Sequence, residues 1–350
     1  MSSVAEASQQ FSAGAPRVLV AGATGFAGAL AAHLLWRHPA FELVGVSGRS
    51  EVGRALQDLY PRYRVPLKIE ELQPKRLACE GLDAAIVAYP HAAAAPTVAA
   101  LRELGARVVD LSADFRLASL ATYERWYGTH PRPELMREAV YGLTELHRDR
   151  IAGAAIVANP GCYPTASLLA LAPLARAGLI ADVVIDAKQG ISGAGRAFDE
   201  TTHLSMAGEN ILPYKVAEHR HTPEIEEQLD ELDPAHPGLA VQFQASLVPL
   251  DQGEMASCYV TTTRPVAQEQ LDELFARAYA GEPFVEVVHE PPGVREVRET
   301  NFCRLFAAAD SHTGKVLVFS AIDNLWKGTS SQAVQNLNLM FARPEWEGLQ

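Results

Sequence analysis

"RVLVAGATGFAGALAAHLLWRH" (residues 17–38) reads as a strand, a glycine turn and a helix. The strand is a short apolar run, and Leu30, Leu34 and Leu35 fall on one face of the helix. Between them Gly22, Gly25 and Gly28 stand in G-x-x-G-x-x-G spacing. A glycine turn opening a helix lets a pyrophosphate approach the backbone and meet the helix N–H groups. With Thr24, these glycines form a candidate dinucleotide cradle. The spacing departs from the strict G-x-G-x-x-G pattern, so the strand before and the helix after carry the reading.

The next segments extend the pattern. "FELVGVSGRS" (41–50) is a second strand that ends in Ser47-Gly48-Arg49-Ser50. A unit built for NAD places Asp or Glu there, on the ribose 2′-hydroxyl. A guanidinium with the hydroxyls of Ser47 and Ser50 suits a 2′-phosphate instead, so NADP is the expected cofactor. "LDAAIVAYPHAAAAPTVAALRELG" (82–105) repeats strand, turn and helix, and "ARVVDLSADF" (106–115) adds a strand ending in a polar turn. Such alternation predicts a parallel, doubly wound α/β sheet. Residues 117–150 read as irregular and aromatic, and a strand resumes in "AAIVAN" (154–159). From about residue 182 the runs are β-rich, with one clear intervening helix, "AQEQLDELFARAYAG" (267–281). They predict a second, α+β domain with a mixed, largely antiparallel sheet. A last helix is expected over 330–343.

The chain has 350 residues, 48% of them hydrophobic, enough for two domains with a core. No apolar run is long enough for a membrane span. The start, "MSSVAEASQQFSAGAP", lacks the basic and apolar regions of a signal peptide and is expected to be a disordered tail. Cys79, Cys162, Cys258 and Cys303 are scattered, without a C-x-x-C pair, which suits a reducing cytoplasm without a disulfide frame. The net charge of −12 argues against nucleic acid or an anionic membrane as partner. A small anionic substrate needs only a local cluster of Arg and His.

Two stretches carry chemistry. In "VANPGCYPTA" (157–166), Asn159-Pro160-Gly161 forces a turn before Cys162, and the helix expected over 164–178 follows it. A helix N-terminus lowers a thiol pKa, so Cys162 is the candidate nucleophile. "PYKVAEHRHTPEIEEQL" (213–229) gathers Tyr214, Lys215, His219, Arg220, His221 and Glu224 before a helix. His-x-His with Glu could ligate a metal, but no thiol pair or carboxylate cluster accompanies it, and none is expected. A histidine paired with a thiolate is the more economical reading. Arg116 in "DLSADFR" and Arg196 in "ISGAGR" stand where an oxyanion could be gripped. A nicotinamide fold with a reactive cysteine and a histidine names a reaction class. The thiolate forms a thioester from an activated acyl group, and hydride reduces it to an aldehyde. Backbone N–H groups at the Cys162 elbow are the expected oxyanion hole.

"GATGFAG", "DLSADFR", "VYGLTEL", "NPGCYPTA", "SGAGR", "HRHTPEI" and "DNLWKGTSSQAVQNLNLM" run in order from about residue 17 to 342. Together they resemble the N-acetyl-γ-glutamyl-phosphate reductases of arginine biosynthesis. The resemblance implies a Rossmann-type NADP-binding domain over 17–161, completed by a C-terminal helix in 324–350, and a catalytic and oligomerisation domain over 162–323. It implies a cytoplasmic homodimer or homotetramer acting on a small substrate and phosphate. Cys162 matches the family nucleophile, His219 the acid/base, and Asn324 a residue at the nicotinamide end. Arg116, Arg196, His221 and Glu224 are the candidates for gripping substrate or phosphate. The chain departs from the family at Ala92, where a glycine is expected after Pro90-His91. A close branch, acting on carrier-linked aminoadipyl phosphate in lysine biosynthesis, would share this chemistry. An NADP sensor would need neither Cys162 nor the histidines. A hydrolase with metal on His219, His221 and Glu224 is the remaining rival.

Overall fold

β1 (Arg17–Ala21) and α1 (Phe26–Trp36) flank the glycine turn. The computed structural model describes residues 14–74, 81–197 and 199–349, so Cys79 and residues 1–13 of the expected tail lie outside the described residues. After α1 come β2 (Glu42–Ser47), β3 (Ile69–Glu70), β4 (Ala84–Val87), α2 (Ala95–Glu103) and β5 (Arg107–Asp110). Then follow α3 (Leu120–Tyr127), β6 (Ala139–Tyr141), α4 (Thr144–Ala152) and β7 (Ile156–Ala158). These strands form one sheet in the order β3-β2-β1-β4-β5-β7-β6, with every pairing parallel. β4 is buried at every position, as expected of a central parallel strand covered on both faces. The chain leaves β1 towards β2 on one side and returns through β4 on the other. That reversal opens a crevice beyond the carboxyl ends of β1 and β4.

α5 (Cys162–Arg176) leads into the second sheet. Its elements are β8 (Ile180–Gly190), β9 (Leu212–Tyr214), α6 (Thr222–Leu232), β10 (Val241–Val248) and β11 (Glu254–Thr262), then α7 (Gln268–Ala278), β12 (Val285–Val287), β13 (Cys303–Ala309) and β14 (Val316–Ile322). The order is β12-β13-β14-β11-β8-β10-β9. β8–β10 and β12–β13 are parallel, and the other pairs are antiparallel. The sheet is therefore mixed, as predicted. Leu168, Leu169 and Leu171 of α5 pack with Ile225 of α6, Phe275 of α7 and the inward residues of β8, β11 and β14 in one core.

The stretch read as irregular contains α3, β6 and α4. α4, "TELHRDRIA", shows no apolar period, and charged contacts from distant residues hold it. Lys327 pairs with Glu145 at 2.6 Å, and Arg148 pairs with Glu345 at 3.0 Å. Likewise α1 is buried nearly all round, not on one face. The cause is α8 (Ser331–Met340), which follows a π-helical turn and shares a core with α1 through Ala333, Val334, Leu337 and Met340. Polar residues of α8 tie down the strand ends beneath the elbow. Asn336 Nδ2 donates to Gly142 O at 2.7 Å and to Asn159 Oδ1 at 3.1 Å.

Ala92 adopts a left-handed backbone, φ 61°, which accounts for the expectation of glycine there. Asp114 Oδ1 accepts from Ala92 N at 2.7 Å, and its Oδ2 accepts from Ala95 N at 2.8 Å. These bonds hold alanine in that conformation.

Candidate active site

The chain turns sharply between β7 and α5, and that turn places the sulfur. Gly161 is the N-cap of α5 and Cys162 its first residue. A Cβ on Gly161 would lie 2.5 Å from His221 Nε2 and 3.0 Å from Arg116 Nη1, so only glycine lets both side chains reach the elbow. A Cβ on Gly328 would lie 2.8 Å from Cys162 Cβ, so the C-terminal segment also closes on the nucleophile. Glu224 Oε1 accepts from Gly161 N at 2.9 Å and from Tyr141 Oη at 2.7 Å. Its Oε2 faces Arg116 Nη1 at 3.3 Å. Arg116 also donates Nε to Asn159 O and Nη2 to Leu111 O, each at 2.8 Å.

A cleft of about 520 Å³ opens over the elbow, with Arg116, Cys162, Gln189, His219 and His221 among its walls. His219 packs among the rings of Tyr163, Tyr214, His221 and Phe243. Its Nδ1 accepts from His221 N at 3.2 Å, so in the neutral ring the proton sits on Nε2. Burial, with the charges of Lys215 and Arg220 nearby, pushes His219 down to about 2. Burial first, then Arg116 and Lys215, holds His221 far below the usual histidine range.

A second groove, about 540 Å³, is lined by Gly22, Thr24, Gly25, Arg49, Ser50 and Arg196, and the two cavities share Tyr89 and Pro90. Gly22 has φ 91°, and a Cβ on it would lie 2.7 Å from the carbonyl of Ala88. A Cβ on Gly28 would lie 2.2 Å from Gly22 O. Glycines thus keep open a turn that fits a pyrophosphate at the α1 N-terminus. The Arg49 guanidinium lies 5.0 Å from the centroid of the Tyr89 ring.

Two profiles divide the chain: the semialdehyde dehydrogenase NAD binding domain matches residues 17–154, and the semialdehyde dehydrogenase dimerisation domain matches 162–324. N-acetyl-gamma-glutamyl-phosphate reductases from Desulforudis audaxviator and Moorella thermoacetica are 47% and 45% identical to it, each across 95% of this chain and 97% of the relative. The chain belongs to the N-acetyl-γ-glutamyl-phosphate reductase family. In fold it is similar to an aspartate semialdehyde dehydrogenase II complexed with ASA from Vibrio cholerae, with TM-score 0.71 and 19% identity over 96% of this chain and 99% of that one. An aspartate semialdehyde dehydrogenase with NADP from Candida albicans gives TM-score 0.67 and 16% identity over 93% and 98%.

Within this reductase fold several residues lie elsewhere than expected. Arg196 does not line the cleft over Cys162. It lies in the dinucleotide groove, where it donates to Thr24 O at 3.2 Å and pairs with Glu51 at 3.3 Å. Glu224 is spent on the elbow, which also turns it away from any metal shared with the histidines. Among the described residues no group of three His, Cys, Asp or Glu could hold a metal ion. Arg116 faces the cleft, but much of its donor set is bound to protein. Ser47 is buried with Oγ 3.4 Å from Tyr89 Oη. Asn324 accepts from Gly253 N at 2.8 Å and donates to Ser192 Oγ at 3.0 Å, so it braces the loops behind Cys162. The expected oxyanion hole loses one donor, because Gly161 N–H is occupied by Glu224.

The helix terminus does not lower the Cys162 thiol below its usual range. Burial comes first and the carboxyl of Glu254 second, and together they push the thiol well above its usual value. The bond from Tyr163 N–H, which is the helix-terminus effect, acts the other way and is outweighed. Gln189 and Glu254, both beside the sulfur, carry no motif signal in the sequence. Each sits within an apolar or turn-like run, and only the pairing of β8 with β11 brings them together.

Proposed function

We propose that the protein reduces N-acetyl-γ-glutamyl phosphate to the semialdehyde with NADPH and releases phosphate. The observation that carries this reading is the junction of the two cavities at Tyr89 and Pro90, with Cys162 at the head of α5 beyond it. Cys162 sulfur attacks the acyl carbon, the carbon–oxygen bond to phosphate breaks, the thiol proton leaves with the phosphate, and a thioester forms. NADPH, when bound, supplies the hydride that reduces this thioester. The carbon–sulfur bond then breaks, the sulfur takes up a proton from solvent, and the aldehyde leaves. His219 presents its Nε2 proton to the oxygen that gains charge, and the dianionic phosphate raises its low pKa on binding.

NADP rather than NAD is favoured by the groove. Arg49, Ser50 and Arg196 line it, and the nearby Glu51 carboxylate is tied to Arg54 and Arg196. Arg49→Ala is expected to weaken NADPH binding about tenfold and leave NADH binding unchanged, since a charged hydrogen bond is worth roughly 1.5–3 kcal/mol. Equal weakening of both cofactors in a fluorescence titration would remove Arg49 from the 2′-phosphate. We also read the second domain as the site of self-assembly into a dimer or tetramer. The described cysteines, all free, suit a cytoplasmic protein. Among the described residues no helix is long and apolar enough to cross a membrane.

Turnover of free N-acetylglutamate semialdehyde with NADP and phosphate tests the assignment. At the cleft mouth Lys215, Arg220 and Arg125 line one recess with Glu218, a local basic cluster sufficient for a small anion. A much larger kcat/KM for carrier-linked aminoadipate semialdehyde would overturn the arginine-pathway reading.

A further inference from the structure

Lys215 and Arg220 line both the cleft over Cys162 and the recess at its mouth. The chain reaches them by a sharp turn after β9. Lys215 and Ala217 hold left-handed backbones, φ 46° and 59°, and Glu218 N donates to Lys215 O at 3.1 Å. Residues with a Cβ are strained there, and strain of this kind collects at ligand clamps. Arg220 is half-buried and already aimed. Its guanidinium lies 5.3 Å from the centroid of the Tyr127 ring, and its Nη1 donates to His91 Nε2 at 3.0 Å. Tyr127 Oη donates to Arg220 O at 3.1 Å, which ties the main chain to the same ring. A guanidinium has no acceptor, so His91 Nε2 offers its lone pair and the ring is neutral. Burial first and Arg220 second hold His91 below the usual histidine range. Among the described residues neither Arg220 nor Lys215 forms an ion pair, although Glu218 lines the same recess. The Arg220 fork therefore keeps donors for a planar anion.

The substrate of the proposed reaction carries two anionic ends, the acyl phosphate and the α-carboxylate. The phosphate is bonded to the carbon that Cys162 attacks, so it lies at the elbow, where Arg116 and His221 close on Gly161. Arg220 touches His91 and Tyr127 instead of the elbow. We propose that Arg220, with Lys215 beside it, binds the α-carboxylate of the substrate and selects acylated amino acids in which that carboxyl is free. Arg220 takes no part in making or breaking bonds. It anchors the far end of the substrate, so that the acyl carbon is presented to Cys162. The inference rests on the thioester reading above and names the second anchor of its substrate.

The oxidative direction separates the two anions, because phosphate and semialdehyde are then different substrates. The test measures kcat/KM for N-acetylglutamate semialdehyde and for its α-carboxamide, with KM for phosphate and for NADP, in wild type and Arg220→Ala. Wild type should prefer the acid by about 10²-fold or more, since the amide forfeits the charged hydrogen bonds. In Arg220→Ala the preference should shrink to about tenfold or less, with KM for phosphate and for NADP changed by about twofold or less. Arg220→Lys keeps the charge and loses the fork, so its preference should fall between the two. An unaltered preference in Arg220→Ala would overturn the proposal, and a raised KM for phosphate beside it would place Arg220 on the phosphate. Equal loss on acid and carboxamide would make Arg220 a structural residue and overturn it as well. A wild type that turns over both compounds equally would be fatal by itself. Should Arg220→Ala not fold, Arg220→Lys carries the same comparison. Absence of wild-type turnover on every semialdehyde would instead count against the proposed function and take this inference with it.

Discussion

Cys162→Ala is expected to lower kcat by about 10⁴-fold or more, with NADPH affinity changed less than twofold. The loss follows from the chemistry, since without the sulfur no thioester forms and hydride has no activated carbonyl to reduce. The fold should survive. Gly328 packs against the Cβ of Cys162, which alanine retains, and Gln189 keeps its bond to Glu254. The dinucleotide groove shares only Tyr89 and Pro90 with the cleft, so cofactor binding does not depend on the sulfur. Iodoacetamide should inactivate the wild type by labelling Cys162, which lines the cleft, ahead of Cys258 and Cys303, which are buried in the core of the second domain. Stopped-flow turnover with a parallel NADPH titration checks both halves. Activity near normal in Cys162→Ala would end the thioester mechanism.

His219→Asn is expected to cost roughly 10²–10⁴-fold in kcat, the range for a lost general acid or base. His221→Asn should cost less and act mainly on KM. The difference rests on placement: His221 Nε2 lies against the Cα of Gly161, whereas His219 presents Nε2 towards a cleft with its tautomer set by His221 N–H. The opposite ranking would assign the proton to His221. The stability of His219→Asn gives a second readout. His219 is depressed from 6.5 to about 2, so the folded state disfavours its charged form. Its contribution is intact above pH 6.5 and is lost as pH falls from 6.5 towards 2. Asparagine does not titrate, so the variant should lose less stability than wild type over that interval in urea titrations.

The structure also reassigns side chains that the sequence placed by type alone. Arg196 and Arg116 are both arginines in glycine-flanked or polar turns, and nothing in those turns separates them. One reaches Thr24 and the dinucleotide groove, and the other locks the elbow through Asn159 and Glu224. Glu224 looked like a ligand because it follows His219 and His221. One helical turn into α6 its carboxylate instead caps Gly161 N–H.

The sequence by itself determined the alternating strand-helix half, the mixed-sheet half and the elbow at Cys162. Those features are written in local signals: apolar period, glycines where a side chain would collide, and proline beside the turn. Ala92 stood out only by comparison with the family, and the structure supplies the reason, a left-handed backbone that favours glycine. Tertiary structure alone decided α4, which has no apolar period and is held by Lys327 and Glu345 from the far end of the chain. It alone decided the charge state around the sulfur. The effect of a helix terminus is local and legible, whereas desolvation and the carboxyl of Glu254 arrive through β11, 92 positions away in sequence (254 − 162). Burial grows with everything packed around a group, so its weight against a local dipole can be read only once the chain is folded.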